Sequence, residues 1–88
     1  MEVIFTPHAI FEMKRRQLTE EIVRHVIENP EQHWEVRKGR VIFQACVKMS
    51  IPKKDYLVRV FVDTDREPAE VVTAYKTGKI EKYWRDEP

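Results

Sequence analysis

Cysteine and glycine are nearly missing from this chain of 88 residues, which has one cysteine, Cys46, and two glycines, Gly39 and Gly78. A single cysteine excludes an internal disulfide and agrees with a reducing, cytoplasmic setting. Cys46 lies in an apolar stretch and reads as a small hydrophobe rather than a nucleophile. Two isolated glycines exclude a glycine-rich phosphate loop. No apolar run is long enough to cross a membrane, and Met1-Glu-Val-Ile-Phe5 lacks the basic start of a signal peptide. His8, His25 and His33 have no paired spacing, and neither CxxC nor HExxH occurs, so no metal or other cofactor is expected. No serine or cysteine nucleophile has a supporting context.

A strong charge of either sign is also lacking. The net charge is +1, so the total says nothing about nucleic acid. Its distribution says more. Lys14-Arg15-Arg16, Arg37-Lys38 with Arg40, Lys53-Lys54, and Lys76, Lys79, Lys82 with Arg85 are four basic clusters, while Glu20, Glu21, Glu28 and Glu31 gather around one helix. A neutral chain segregated in this way can carry a basic face, although any one cluster also reads as solvated surface.

The length corresponds to one domain spanning residues 1–88. Met1–Phe5 is a short apolar piece that could serve as an edge strand. Thr6-Pro7 is a helix start, with Thr as cap and Pro in the first turn. That helix runs to about Arg16 with Ile10 and Met13 as a narrow apolar face. Thr19-Glu20-Glu21 starts a second helix, with acids where the dipole favours them and Leu18 placed to staple onto Val23. Ile22, Val23, Val26 and Ile27 form its stripe, and Asn29-Pro30 ends it.

From Trp34 the period changes to two. Trp34 and Val36 alternate with polar residues, and Gly39 makes a turn. Val41, Phe43, Ala45 and Val47 then share one face, and after a loop at Pro52–Asp55 so do Val58, Val60 and Val62. A second loop, Asp63–Pro68, leads to the Glu70–Lys76 strand, on which Val72 and Ala74 face the core while Thr73 and Tyr75 face away. The expected fold is α+β: two N-terminal helices packed on one face of a four-stranded antiparallel sheet, the other face left for solvent or a ligand.

Several residues on or near that face could carry chemistry. His8 stands at a helix start and titrates near neutrality, although a partly exposed histidine without a task is the plainer reading. Arg59 interrupts the most hydrophobic strand, and its fork of donors suits a phosphate; it could equally lie across Phe61. Arg15 and Arg16 end a helix, where cations are favourable anyway. Tyr83 and Trp84 are core plugs or a stacking platform for bases amid Lys79, Lys82 and Arg85, with Trp84 the better core residue.

Taken in order, Thr6-Pro7-His8-Ala9 with Met13, Arg16-Gln-Leu-Thr19, Val23, Pro30 and Val71-Val-Thr-Ala-Tyr75 resemble the pattern of the DUF4258 family. The one departure is Gln17, where the family often has Gly after the helix-end Arg. The resemblance implies kinship with the RelE-like and barnase/EndoU-like ribonuclease fold and with metal-independent endoribonucleases, often the toxins of toxin–antitoxin pairs. Carried over residue by residue, it implicates His8, Arg16, Thr73 and Tyr75; Arg59 and Tyr83 match the general placement of active-site groups. It implies RNA and a small acidic antitoxin as partners. In that chemistry the RNA 2′-OH attacks the adjacent phosphate, with His8 as acid or base, Arg16 and Arg59 as phosphate clamps, and Thr73 and Tyr75 as positioning groups. Arg15, Lys76, Lys79 and Lys82 would bind the nucleic acid. Two other outcomes stay open: a non-catalytic RNA- or protein-binding module using the same face, and a homodimer formed through an edge strand.

Overall fold

The computed structural model describes residues 1–86. The elements in chain order are β1 (Val3–Phe5), α1 (Pro7–Arg15), α2 (Glu20–Glu28), β2 (Gln32–Arg37), β3 (Arg40–Met49), β4 (Lys54–Asp63), β5 (Ala69–Thr77) and α3 (Ile80–Tyr83). The fold is α+β, and β2 to β5 are successive antiparallel neighbours. The sheet nevertheless has five strands, in the order β1-β5-β4-β3-β2, and is mixed, because β1 pairs parallel with Ala69–Val71 of β5. The described residues form three helices, not two. β1 is the edge strand that the Met1–Phe5 piece offered, and α3, with four residues, is too short to show a period of its own.

Both threonine caps form. Thr6 and Thr19 have extended backbones, and their hydroxyls accept from Ala9 N at 3.1 Å and Ile22 N at 3.2 Å. Thr6 also ties α1 to the sheet, because its N–H donates to Val71 O at 3.1 Å. β1 pairs with β5 only as far as Val71, so beyond that point α1 packs along β5.

α1 buries Ala9 and Met13, four residues apart, whereas Ile10 stays 37% exposed and does not form the expected apolar face. The helix ends in a two-bond motif: Leu18 N–H donates to Met13 O and Gln17 N–H to Lys14 O, with Gln17 at φ +58° and both Met13 and Leu18 buried. The position after Arg16 thus takes the left-handed conformation that glycine adopts without strain.

One apolar layer lies between the helices and the sheet. Val23, Val26 and Ile27 of α2 join Ala9, Met13 and Leu18 over Ala45, Val58, Val60, Val62 and Ala74. β5 departs from strict alternation here. Val62 pairs with Val71 and Phe61 with Thr73, so Val72 is the extra residue of a bulge. Past Ala69 the core residues of β5 are therefore Val71 and Ala74, both fully buried, and not Val72, which is half-buried.

The other face is not open as expected. Ile42, Gln44 and Leu57 have no exposure and Arg59 only 9%. The segment from α3 to Arg85 contacts it, through Tyr83 on Arg59 and Arg85 on Trp34. Among the described residues no helix is long and apolar enough to cross a membrane.

Candidate functional site

Antiparallel pairing sets Gln32 opposite Gln44, Gln44 opposite Arg59, and Arg59 opposite Tyr75. Side chains directly opposite each other share a face, so these four residues form one row across β2, β3, β4 and β5 on the side away from α1 and α2. The next row is Trp34, Ile42, Phe61 and Thr73.

The first row is joined by hydrogen bonds from end to end. Arg59 Nη1 donates to the Tyr75 hydroxyl at 2.6 Å, and Arg59 Nε donates to Gln44 Oε1 at 2.8 Å. Gln44 Nε2 donates to Gln32 Oε1 at 2.8 Å and to Tyr83 O at 3.2 Å. The direction of this chain is fixed. Arginine has donors only, so Gln44 must turn its oxygen toward Arg59 and its nitrogen toward Gln32. Gln32 must then present its own oxygen to Gln44.

Aromatic rings enclose the guanidinium. Arg59 Cζ lies 4.3 Å from the Tyr83 ring centroid, 5.6 Å from that of Phe61 and 5.8 Å from that of Tyr75. Tyr75 packs against Phe61 and meets Tyr83 edge-on, at centroid distances of 6.4 and 6.3 Å. Arg16, at the end of α1, brings a second cation to within 5.6 Å of the Tyr75 centroid. Glu12 lies 3.8 Å from Arg16. Among the described residues, no carboxylate lies within ion-pair distance of Arg59. Burying a cation without a counter-charge is costly, and here two neutral oxygens and the faces of three rings offset that cost.

Arg16, Arg59, Tyr75 and Tyr83 are thus brought together. Thr73 lies on the same face but in the neighbouring row, opposite Phe61. His8 is not brought in: it is exposed on the first turn of α1 and makes none of the hydrogen bonds or ring contacts that join the cluster. Lys76 pairs with Val58 on the opposite face, where its Nζ lies 4.8 Å from the Tyr56 ring centroid. Lys82 lies 5.3 Å from the Tyr83 centroid, and Lys79 and Arg15 are exposed, Arg15 beside Glu12.

Trp84 is half-buried rather than a core plug, and with Ile80 and Cys46 it lines a groove of about 640 Å³. Cys46 is exposed, on the Leu57 face of β3 at the groove beside the C-terminal cover. Partial desolvation first, then the carboxylates of Glu31 and Asp55, push its thiol above the ordinary cysteine value. Glu31 also accepts from the Cys46 N–H at 2.6 Å. At the far end of the sheet, Arg40 donates to both oxygens of Asp63, at 2.6 and 3.1 Å, and these bonds hold the Asp63 carboxyl below the usual range.

Gln44, Gln32 and Trp34 were not anticipated as site residues. The signal that singles out Arg59, a polar group on the second face of a very apolar strand, is also present at Gln44 between Ile42 and Cys46.

Residues 5–80 match the family described as domain of unknown function DUF4258, and the chain belongs to that family. No curated protein and no solved structure matches the chain. The match contains the whole Gln32–Tyr75 row, while Tyr83 and Arg85 lie beyond it.

Proposed function

We propose that this chain is a metal-independent endoribonuclease resembling the toxins of toxin–antitoxin pairs, with the Gln32–Tyr75 face as its site. The observation that carries this is Arg59: a buried guanidinium bonded to neutral oxygens, with no carboxylate partner among the described residues and a second cation, Arg16, across the Tyr75 ring. A site built to receive a phosphodiester needs a cation whose charge is not already cancelled, which Arg59 supplies and Arg16, beside Glu12, supplies only in part.

In the reaction the RNA 2′-OH attacks the adjacent phosphorus and the P–O5′ bond breaks. The products are a 2′,3′-cyclic phosphate and a 5′-hydroxyl. Arg59 and Arg16 stabilise the charge that gathers on the phosphate oxygens. The Tyr75 oxygen accepts from Arg59, which leaves its own proton free for the departing 5′ oxygen. The row contains no acceptor for the 2′-OH proton. Solvent takes it, since α1 holds His8 outside the cluster, and a His8→Ala variant should cut as the parent does. RNA and a small acidic antitoxin are the partners expected on this basis.

One observation favours a second reading, a non-catalytic RNA- or protein-binding module: the Tyr83 ring lies directly over Arg59. Labelled mixed-sequence RNA incubated with the purified protein in EDTA distinguishes the two. Cyclic-phosphate ends that fall by roughly 10²–10⁴-fold in Tyr75→Phe fit the nuclease. Intact RNA, with and without ribosomes, bound by folded protein with an affinity that falls steeply with salt, sinks the nuclease in favour of an RNA-binding module.

A further inference from the structure

At its β2 end the hydrogen-bonded row is completed by backbone, not by a side chain. Gln32 Nε2 donates to Arg85 O, and Arg85 N–H donates to Gln32 Oε1 at 3.1 Å, so one side-chain amide makes a two-point pairing with the backbone of one residue. Beside it the Arg85 guanidinium lies 3.9 Å from the centroid of the Trp34 ring, which is half-buried on the same face. A flat cationic group on an indole and an adjacent donor–acceptor pair on an amide are what a nucleobase would offer: a planar face to stack and an edge with N–H beside an acceptor.

We propose that Gln32 and Trp34 form a nucleobase subsite, and that the Tyr83–Arg85 segment occupies it as an internal stand-in for the base. The proposal rests on the reading that this face takes RNA. Two features support it. The first is the fixed orientation of Gln32. Arg59 sets Gln44, and Gln44 sets Gln32, so the amide shows its oxygen and nitrogen in a known order before any ligand arrives. Such preorganisation is what lets a site discriminate among hydrogen-bonding edges. The second is the slight build of the helix that delivers the segment. α3 has four residues, buries none of them and has no side-chain cap. A groove of about 380 Å³ already runs along Trp34, Gln32 and Arg85, within the ~300–1,000 Å³ range of small-ligand sites. The base would stand two strands from Arg59, with the phosphodiester held at the Arg59 end of the row.

Trp34 and Trp84 are the two tryptophans of the chain, so in a Trp84→Phe background fluorescence reports Trp34 alone. The probes are the four 5′-nucleoside monophosphates, with ribose 5-phosphate as the control that lacks a base. Quenching by at least one nucleotide, none by ribose 5-phosphate at equal concentration, and about tenfold weaker quenching in Gln32→Ala are expected; a lost bidentate contact to a base has about this effect. Gln32→Glu keeps the bond accepted from Gln44 but loses the donor, so it should weaken binding like Gln32→Ala. Arg85→Ala should tighten nucleotide binding several-fold, because it uncovers the Trp34 ring, while the backbone pairing on Gln32 stays. Equal quenching by ribose 5-phosphate, no quenching at all, or Gln32 variants that bind as the parent does would each overturn the subsite. Cleavage is not read here. A protein that binds bases through Gln32 but cuts no RNA keeps the subsite and loses the nuclease; one that cuts RNA but ignores Gln32 loses the subsite alone.

Discussion

Arg59 Nε donates to Gln44 Oε1 at 2.8 Å, from a guanidinium 9% exposed to an amide with no exposure. A buried cation paired only with neutral groups forgoes the Coulombic gain that a carboxylate would supply. If the fold alone had shaped this site, an apolar residue would serve as well. Arg59→Met should therefore leave stability within about 1 kcal/mol of the parent: the relief of a desolvated charge offsets the oxygen left without a donor on Gln44. RNA affinity should fall sharply in the same variant. Urea unfolding and a filter-binding titration read the two effects, and a large stability loss with RNA affinity unchanged would assign Arg59 to structure.

Cys46 should behave as a sluggish thiol. Its titration is raised by partial desolvation and by Glu31 and Asp55, so less thiolate is present at neutral pH than in an unstructured peptide. Alkylation by iodoacetamide at pH 7 should be slower than in the urea-unfolded chain. Glu31→Gln should speed it only modestly, because desolvation is the larger cause. A rate in the folded protein equal to or above the unfolded rate would contradict this.

Much of this architecture is written locally. Thr6-Pro7 and Thr19-Glu20-Glu21 declare their helix starts, and the alternation through Val58, Val60 and Val62 puts Arg59 on the second face. The register that sets Arg59 opposite Tyr75 is not local. It depends on the bulge at Val72, where one extra residue exchanges Val72 for Val71 in the core. Val71 and Val72 are chemically identical, so no pattern distinguishes them. The cover over the second face was hidden for another reason. Four helical residues and an arginine on an indole have no periodicity, and Gln44 and Gln32 reveal their task only when the strands set them in line. His8 shows the converse: a titratable residue at a helix start is conspicuous in sequence, yet the helix holds it outside the cluster.

Gln17 stands at φ +58° in the turn that ends α1. Left-handed backbone costs a side-chain-bearing residue of order 1 kcal/mol, and glycine avoids that cost at some expense in unfolded-state entropy. Gln17→Gly should stabilise the domain by about 0.5–1 kcal/mol, which corresponds to a Tm increase of a few degrees for a chain this small. Gln17 is exposed, so no packing is lost. A lower Tm in thermal unfolding would mean that the two hydrogen bonds from Gln17 and Leu18 do not define the stop.

The Arg40–Asp63 pair should set the acid limb of stability. Asp63 is buried, with a side chain 8% exposed, and its carboxyl is held below the usual range chiefly by the hydrogen bond from Arg40. A carboxyl whose folded pKa is depressed contributes stability that is complete above its unfolded value, near ~3.9. That contribution drains away as pH falls through the folded value. At pH 7, Asp63→Asn should cost about 1.5–3 kcal/mol, the usual effect of removing hydrogen bonds to a charged group. It should fall toward the lower end, because the Arg40 side chain is 28% exposed and water can replace part of the pair. The difference between parent and variant should be constant from pH 7 down to about 5 and narrow steadily below that, since at low pH the parent carboxyl is itself protonated. Urea unfolding at pH 7, 5 and 3 measures it. A gap that stays constant to pH 3 would mean that Asp63 acts through shape and not through charge, and that the acid limb belongs to other carboxylates.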